Sequence, residues 1–202
     1  RRNKFDKYLK DNPFFQRFRG DVEDFNLADC QKIMLNSIRN NKRFEGTDLP
    51  TLEKELQDVK GLVGVCKHMC GKATDLSIAA LQQASKNFSI RGTVMATCCH
   101  QLCSVGGFDG LAMFEKLGLN KQEIEWVFRV SSWGTRHTPP VLYTFETKQE
   151  QLMEGLSREA QQANLDEEQK EMLGKMCKRM VDRARCELLK SLGLQVQQVR
   201  YC

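Results

Sequence analysis

The sequence contains no long apolar run, since its longest candidates are LVGVC at 62–66 and TVMATCC at 93–99. These runs have the length of buried strands, whereas a membrane span needs roughly 20 apolar residues. The opening residues RRNKFDKYLK also lack the apolar stretch of a secretory signal peptide. We therefore expect an intracellular protein, located in the cytoplasm or the nucleus, that does not insert into membranes.

Histidine is scarce, with three residues in the chain, and two of them lie in short runs that are rich in cysteine. The first run is CKHMCG at 66–71 and the second is CCHQLC at 98–103. The chain has nine cysteines but is dominated by long amphipathic segments. This pattern is more typical of free thiols in a reducing compartment than of a small secreted disulfide scaffold.

Positive charge is concentrated at one end of the sequence. Residues 1–20 contain seven basic and two acidic side chains, a difference of +5 that equals the net charge of the whole chain. The remaining residues balance to zero. Such a segment suits a phosphate-rich partner such as nucleic acid, although a solvated helix face explains most charge runs.

The pattern of apolar residues predicts an α/β protein. The runs KGLVGVC (60–66) and IRGTVMATCC (90–99) are typical of buried strands. Between them, ATDLSIAALQQASKNF has apolar residues at helical spacing, with Thr74 or Asp75 as the N-cap. A strand, a helix and a second strand in this order predict a parallel βαβ unit with a right-handed connection.

The remaining segments give further predictions. RFRGDVEDF (17–25) is expected to form a short strand, and residues 108–133 are expected to form helical turns. A long helix should begin after Asp166 and end at Gly193, and LQVQQVRY (194–201) should form a last strand.

Both cysteine runs follow predicted parallel strands, whose carboxyl ends meet at one edge of a sheet. We therefore expect residues 66–68 and 98–100 to face one crevice. Two C-x₃-C spacings and two histidines supply enough ligands for a tetrahedral zinc site. Against this, Cys66 and Cys98 belong to apolar strands, which favours buried thiols, and we assign no metal ligand.

A cysteine nucleophile is a third interpretation, because Cys99 stands next to His100, which could act as its base. Neighbouring residues on a strand point to opposite faces, however, and this makes a sequential pair a poor acid–base geometry.

The two runs also carry a resemblance to a known family. GVCKHMCGKATDLSIAAL resembles the motif KHLCG-x-ATDL, and MATCCHQLC resembles the motif ALCCHHRC. Both motifs belong to the S-adenosylmethionine-dependent 2′-O-methyltransferase family that modifies the fourth nucleotide of the tRNA acceptor stem. The similarity continues in VFRVSSWGT (127–135), in DRARCELLKSLG (182–193) and in the opening RRNKFDKYL.

This resemblance implies a Rossmann-like methyltransferase sheet with flanking helices, and S-adenosylmethionine as the cofactor. Residues 1–202 would form a single domain, complete or partial, on which a long helical segment at 150–193 packs. Asp21 and its neighbour Val22 would contact the adenine end of the cofactor. Cys66 and Gly71 would also bind the cofactor, with residues 66–68 beside the transferred methyl group.

The resemblance further implies catalytic and substrate-binding residues. His68 or His100 would accept or relay the proton of the ribose 2′-hydroxyl, and Lys67 would hold a phosphate or the ribose. The basic opening segment would contact the tRNA backbone. The candidates for substrate contact are Cys99, Arg129, Ser132 and Trp133.

The sequence departs from the family pattern in two respects. It has neither the glycine-rich first strand nor the acidic strand end that follows it, so we expect a missing N-terminal segment or a partner to complete the fold. Gln101 and Leu102 also replace the His and Arg of the second motif. A non-catalytic RNA- or zinc-binding module on the same fold, or a methyltransferase for another substrate, is therefore the alternative.

Overall fold

The computed structural model of the chain describes residues 20–40, 48–134 and 164–199, together with Phe15, Lys42, Glu45 and Gly46. Its helices and strands are α1 (Cys30–Arg39), α2 (Leu49–Asp58), β1 (Gly61–Cys70), α3 (Lys72–Ala84), β2 (Ser89–Cys98), α4 (Leu111–Lys116), α5 (Lys121–Val130) and α6 (Glu167–Ser191). Short 3₁₀ helices lie at Leu27–Asp29, His100–Leu102, Val105–Gly107 and Ser131–Gly134. None of the helices in the described ranges combines the length and apolar character that a bilayer crossing requires.

The chain divides into two compact units. The first unit contains Arg1–Val65 and Leu76–Val94, and the second contains Cys66–Asp75 and Met95–Cys202. The amino-terminal parts of β1 and β2 therefore belong to the first unit, and their carboxyl ends belong to the second.

β1 and β2 form a two-stranded parallel sheet, and α3 connects them. This confirms the predicted strand, helix and strand as a mixed α/β arrangement, whereas the wider Rossmann-like sheet stays a prediction. β1 continues past its predicted end at Cys66 to Cys70. It ends there because Gly71, at φ 54, has the left-handed backbone conformation that turns the chain into α3.

In the first unit, α1 and α2 pack through a small apolar cluster of Leu35, Ile38, Leu52 and Leu56. An ion pair between Arg39 and Glu53, 2.9 Å from Nη2 to Oε1, lies at the edge of this cluster. α2 begins at a cap, because the Asp48 carboxylate accepts hydrogen bonds from the Thr51 amide at 3.3 Å and its hydroxyl at 2.6 Å. The apolar cluster and the ion pair hold the two helices together, whereas the cap is local to α2.

The sheet of the first unit has one covered and one open face. α3 buries Ile78 and Leu81, and Gly64 lets the Leu81 side chain approach the strand. Val63 and Val65 are two positions apart and therefore point to the same side of β1, where they are 67% and 77% exposed. Val94 of β2 is also 67% exposed, so this face of the sheet is apolar and open.

The second unit has an aromatic core. The rings of Phe108, Phe114 and Phe128 pack with centroid distances of 5.1 to 6.2 Å, two of the three contacts being edge-to-face. Val181 and Ala184 of α6 complete this core. A capping box starts α6, where Asp166 accepts from the Gln169 amide at 2.8 Å. The predicted helix after Asp166 is therefore confirmed, as are the helical turns within 108–133.

Two predicted strands are wrong over their described residues. Residues 20–25 form a turn, because the Asp21 carboxylate accepts from the Glu23 amide at 3.1 Å. Residues 194–199 form no strand, since Gly193 at φ 81 ends α6 and the Leu194 amide bonds back to the Leu189 carbonyl. Residues 17–19 and 200–201 of these predicted strands lie outside the described residues, as do residues 150–163 of the predicted helical segment.

Candidate functional site

The two cysteine runs meet within the second unit at Cys70 and Gly71, whereas a crevice shared by residues 66–68 and 98–100 stays a prediction. A Cβ placed on Gly71, in the first run, would lie 2.6 Å from the Cβ of Leu102 in the second run. Only glycine fits here, because the position also requires a φ of 54. Gly71 therefore packs directly against the second run at Leu102.

The candidates at 66–68 lie in the last part of β1. Lys67 and His68 are exposed, and Cys66 is half-buried. His68 has a φ of 61, a left-handed conformation that disfavours a residue with a Cβ by roughly 1–2 kcal/mol. Strain of this kind clusters at functional sites, and both exposed side chains are available to a ligand.

Arg185 of α6 forms a buried ion pair with Asp75 of α3. Its Nε and Nη2 donate to the two carboxylate oxygens of Asp75 at 3.0 and 2.8 Å. Nη2 also contacts the Gly71 carbonyl oxygen at 3.1 Å and the Cys103 sulfur at 3.2 Å. Burial raises the pKa of Asp75, and the hydrogen bonds and charge of Arg185 oppose that rise. Asp75 is therefore a partner of Arg185 and not the predicted helix cap.

Thr74, the other predicted cap of α3, also lies inside the helix. Its hydroxyl donates to the Met69 carbonyl oxygen at 2.5 Å. α3 begins at Lys72, directly after Gly71. The predicted N-cap was wrong because both side chains have tertiary or strand partners that outweigh the local capping preference.

His100 is buried and paired with a carboxylate. Its Nε2 lies 2.8 Å from Oδ1 of Asp182, whose Oδ2 accepts from the Thr97 hydroxyl at 3.1 Å. Nδ1 of His100 is buried and has no hydrogen-bond partner among the described residues. If Nε2 carries the proton that bonds to Asp182, the Nδ1 lone pair is left as a proton acceptor.

Asp182 also links His100 to the buried ion pair. Its Oδ1 is 3.6 Å from Nη1 of Arg185, three residues later on α6. His100, Asp182, Arg185 and Asp75 therefore form one chain of polar groups behind the two cysteine runs. A positioned imidazole beside a carboxylate is an arrangement that can accept or relay a proton.

The substrate candidates on α5 and the turn after it make contacts within the protein. Arg129 donates to the Gln101 carbonyl oxygen and lies 3.5 Å from Glu125, so it supports the turn of the second cysteine run. The Ser132 hydroxyl donates to the Arg129 carbonyl at 2.8 Å, and Trp133 is half-buried. Contact of these three residues with a substrate stays a prediction.

The adenine-binding candidates lie in the first unit. Asp21 is exposed and its carboxylate forms the turn described above, while Val22 is half-buried. The other candidates, from Cys66 to Trp133, belong to the second unit. Cofactor binding by Asp21 and Val22 stays a prediction.

Three cysteine thiols of the two runs converge. The sulfurs of Cys70 and Cys98 are 3.2 Å apart, and with Cys99 they form a group whose sulfur atoms all lie within 4.8 Å of one another. Burial raises the pKa of all three thiols. Cys99, a candidate for substrate contact, is therefore part of a sulfur cluster.

Sequence reasoning missed the residues of α6 and their partner on β2. Asp182, Arg185 and Thr97 are not among the sequence-based candidates, although the segment DRARCELLKSLG, which begins at Asp182, is part of the resemblance to the methyltransferase family. The sequence contains a signal that points to two of them. Asp182 and Arg185 are three positions apart and lie on the same helix face as Val181 and Ala184, which are part of the core. Charged residues on a buried helix face need partners.

Comparison with known proteins gives one family. The family model described as Methyltransferase TRM13 matches residues 1–202. The human tRNA:m(4)X modification enzyme TRM13 homolog is 25% identical over 243 residues, which cover 93% of this chain and 46% of that protein. The Yarrowia lipolytica tRNA:m(4)X modification enzyme TRM13 is 27% identical over 179 residues, which cover 78% and 39% of the two chains.

A third relative agrees with these two. The Scheffersomyces stipitis tRNA:m(4)X modification enzyme TRM13 is 28% identical over 192 residues, which cover 87% of this chain and 42% of that protein. No solved structure matches the chain. The chain spans less than half the length of these relatives. Because the family model matches every residue from 1 to 202, the chain belongs to the TRM13 methyltransferase family.

Proposed function

We propose that this chain forms the catalytic part of a tRNA ribose 2′-O-methyltransferase that uses S-adenosylmethionine and acts on the acceptor stem. The observation that carries the proposal is the match of the TRM13 methyltransferase family to residues 1–202. The printed names of the relatives, which describe tRNA modification enzymes, support tRNA as the substrate class. The junction of the two cysteine runs beside a histidine–carboxylate pair supports a reaction that moves a proton.

The described residues fit S-adenosylmethionine in part. The exposed carboxylate of Asp21 suits a hydrogen-bond donor such as the adenine amino group. Separately, the exposed side chains of Lys67 and His68 leave the end of β1 accessible. Cofactor binding by Gly71 stays a prediction, and the side of its α-carbon that faces Leu102 is already packed. When bound, the cofactor supplies an electrophilic methyl group.

His100 is the proposed proton acceptor. A ribose hydroxyl is a weak nucleophile until its proton is accepted, and Nδ1 of His100 has a lone pair that no described residue uses. Asp182 orients the ring through Nε2 and stabilises the imidazolium that forms. Since His100 is 3% exposed, the proposal requires the proton to reach it through a relay and not by direct contact with the ribose.

Lys67 is the proposed substrate clamp. Its exposed ammonium group, one residue from the strained His68, can bind a phosphate or the ribose. Holding the hydroxyl at about 3 Å from the methyl group is the main demand of such a transfer. Shape and phosphate contacts then select an acceptor stem, because the major groove of A-form RNA is too narrow to read.

Methyl transfer tests this proposal directly. The purified chain is incubated with labelled S-adenosylmethionine and bulk tRNA, and the human relative serves as a parallel reaction on the same RNA. Digestion to nucleosides should give a 2′-O-methyl nucleoside, and mass mapping of oligonucleotide fragments from the same tRNA should place it at the fourth position of the acceptor stem. Label in a base-methylated nucleoside would contradict the proposal. No label with either this chain or a version extended at its amino terminus, while the human relative is active, would also contradict it.

A further inference from the structure

The sulfur cluster of Cys70, Cys98 and Cys99 has the dimensions of a metal site. The sulfur atoms of Cys70 and Cys98 are 3.2 Å apart, and all three sulfurs lie within 4.8 Å of one another. In a tetrahedral site with zinc–sulfur bonds of roughly 2.3 Å, the sulfurs are about 3.8 Å apart. The 3.2 Å separation of the Cys70 and Cys98 sulfurs and the upper limit of 4.8 Å on the other two separations are compatible with this value, so the three sulfurs are close enough to share one metal ion.

The backbone directs two neighbouring thiols to the same point. Cys98 is the last residue of β2, and in a continuing strand Cys99 would point to the opposite face. Instead Cys99 has a φ of 49, a left-handed conformation that is uncommon for a residue with a Cβ. This turn brings its sulfur back toward Cys70, the last residue of β1.

The charges around the cluster suit a thiolate-bound cation. A cation of this class binds cysteine sulfurs as thiolates and displaces their protons. Three thiolates and a divalent cation have a net charge of −1. The half-buried Lys178 of α6 interacts electrostatically with Cys98 and Cys99 and can balance that charge. Burial lowers the pKa of Lys178, and Asp182 and the two cysteines oppose that shift.

The other cysteine and histidine of the second run have different partners. The Cys103 sulfur accepts from Arg185 at 3.2 Å, and His100 is held by Asp182. The cluster therefore contributes three ligands from the described residues, which leaves a fourth position for water or another ligand. Thiolate ligands select zinc-like or cuprous ions over magnesium and calcium.

We propose that Cys70, Cys98 and Cys99 form an open three-thiolate site for a zinc-class metal ion, which links the carboxyl ends of β1 and β2. This differs from the sequence-based preference for buried thiols. It stands independently of the proposed methyl transfer, because the site is defined by sulfur geometry and its test measures the metal and not the reaction.

Cobalt(II) is the probe for this site. Tag-free, reduced and metal-depleted protein is titrated with Co²⁺, and the absorption of cobalt–thiolate bonds is followed. We expect saturation at one equivalent per chain and displacement by Zn²⁺. The variant Cys70→Ser/Cys98→Ser/Cys99→Ser should lose the absorption, and Cys99→Ser alone should weaken binding by roughly tenfold or more.

The matched control changes three half-buried cysteines elsewhere, in the variant Cys30→Ser/Cys177→Ser/Cys186→Ser. It should bind Co²⁺ as the wild type does. Equal loss in this control, or no cobalt–thiolate absorption in the wild type, would overturn the proposal.

A measurement on the unmodified chain covers the case in which the cluster variant does not fold. Zn²⁺ should protect Cys70, Cys98 and Cys99 from alkylation, as mapped by mass spectrometry, while the alkylation of Cys30 and Cys186 is unchanged. If the same mapping, on protein whose thiols were trapped at cell lysis, found a Cys70–Cys98 disulfide, the cluster would be a redox pair and the proposal would be wrong.

Discussion

At the scale of single residues, Arg185 contacts Asp75, the Gly71 carbonyl and the Cys103 sulfur while it is 3% exposed. Its guanidinium also lies 5.4 Å from the centre of the Phe108 ring. A buried ion pair contributes little net stability compared with apolar residues of the same volume, but removal of one partner leaves the other as an unpaired buried charge. Arg185 and Asp75 therefore depend on each other.

We expect Arg185→Met to lower the free energy of unfolding by about 3–5 kcal/mol, because Asp75 loses its partner. Urea denaturation measures this change. The control is Arg183→Met on the same helix, where the side chain is 58% exposed and pairs with Glu187. That change should lower stability by less than about 1 kcal/mol. Equal losses in the two variants would contradict the structure, and Asp75→Asn/Arg185→Met should recover part of the loss.

Asp182 is the residue on which the proposed proton transfer depends. Asp182→Asn keeps the side-chain volume but removes the negative charge that orients and stabilises His100. We expect kcat for methyl transfer to fall by roughly 10²-fold, with little change in the KM for tRNA. Steady-state kinetics and a melting curve on the same protein separate this effect from unfolding.

The control for Asp182 is Asp58→Asn, the same change at an exposed position in the first unit. It should leave kcat unaltered. A wild-type kcat in Asp182→Asn would show that the pair with His100 is structural only.

At the scale of elements, α6 packs on the 3₁₀ turn Ser131–Gly134 through two glycines. A Cβ on Gly174 would lie 2.5 Å from the Trp133 carbonyl carbon and would also meet the backbone nitrogen of Gly134. The backbone of α6 and that of the turn are therefore in direct contact. The shared segment VFRVSSWGT thus has a packing role at its end, whether or not Trp133 contacts RNA.

Gly174→Ala tests this contact, because helix propensity and overlap with the turn change the free energy of unfolding in opposite directions. Helix propensity alone would stabilise α6 by about 1 kcal/mol. Overlap with the turn should instead destabilise the protein by roughly 1–3 kcal/mol. Gly106→Ala is the control, because a Cβ there meets no atom within 4 Å, and its effect should be within about 0.5 kcal/mol of zero. A stabilising Gly174→Ala would rule out the close contact.

The Asp48 cap of α2 makes the free energy of unfolding depend on pH. The side-chain and backbone hydrogen bonds of Thr51 lower the pKa of Asp48 below its ordinary value of 3.8. Because the folded-state pKa is the lower one, the ionised cap stabilises the folded protein above the unfolded-state pKa. That contribution is lost as the pH falls through the folded-state value.

We expect Asp48→Asn, which still caps but does not titrate, to flatten the curve of unfolding free energy against pH as the pH falls below 3.8. Denaturation of both proteins at a series of pH values measures the difference between the curves. Parallel curves would show that the hydrogen bonds of Asp48 do not depend on its charge.

At the scale of the whole molecule, the net charge of +5 resides in residues 1–20. If this segment contacts tRNA, neutral replacement of its lysines should weaken binding in a salt-dependent way. We expect Lys4→Gln/Lys7→Gln/Lys10→Gln to reduce the slope of log K against log salt by roughly 0.7 to 0.9 for each lost phosphate contact. Filter binding at several salt concentrations measures this slope.

The control for the basic segment makes the same change of charge elsewhere, as Lys54→Gln/Lys86→Gln/Lys121→Gln at exposed positions. It should alter the salt slope less than the first variant does. Equal slopes in the two variants would mean that net charge, and not the opening segment, attracts the RNA.

The local part of the fold was predictable from the sequence. β1, α3, β2 and α6 follow from apolar periodicity and, for α6, from end signals such as Asp166 and Gly193, which act over a few residues. The strand predicted at 17–25 was wrong over residues 20–25, because the Asp21 side chain forms a turn that competes with extended backbone.

The candidate site was predictable only where it lies on the two cysteine runs. The meeting of these runs follows from parallel strand order, which brings the last residues of β1 and β2 together. Asp182 and Arg185 were not found, because 82 residues separate Asp182 from His100 and 110 residues separate Arg185 from Asp75. Pairing over such distances leaves no periodic signal in the sequence.

The sequence by itself determined the family, the βαβ order and the long last helix, because motifs and helical periodicity are local properties of the chain. Only the tertiary structure decided which side chains meet. It assigned Asp75 to Arg185, Asp182 to His100, and the Cys70, Cys98 and Cys99 sulfurs to one another. The physical reason is that a buried charge or thiol takes its partner from whatever the packing of α6 and the strand ends brings within reach.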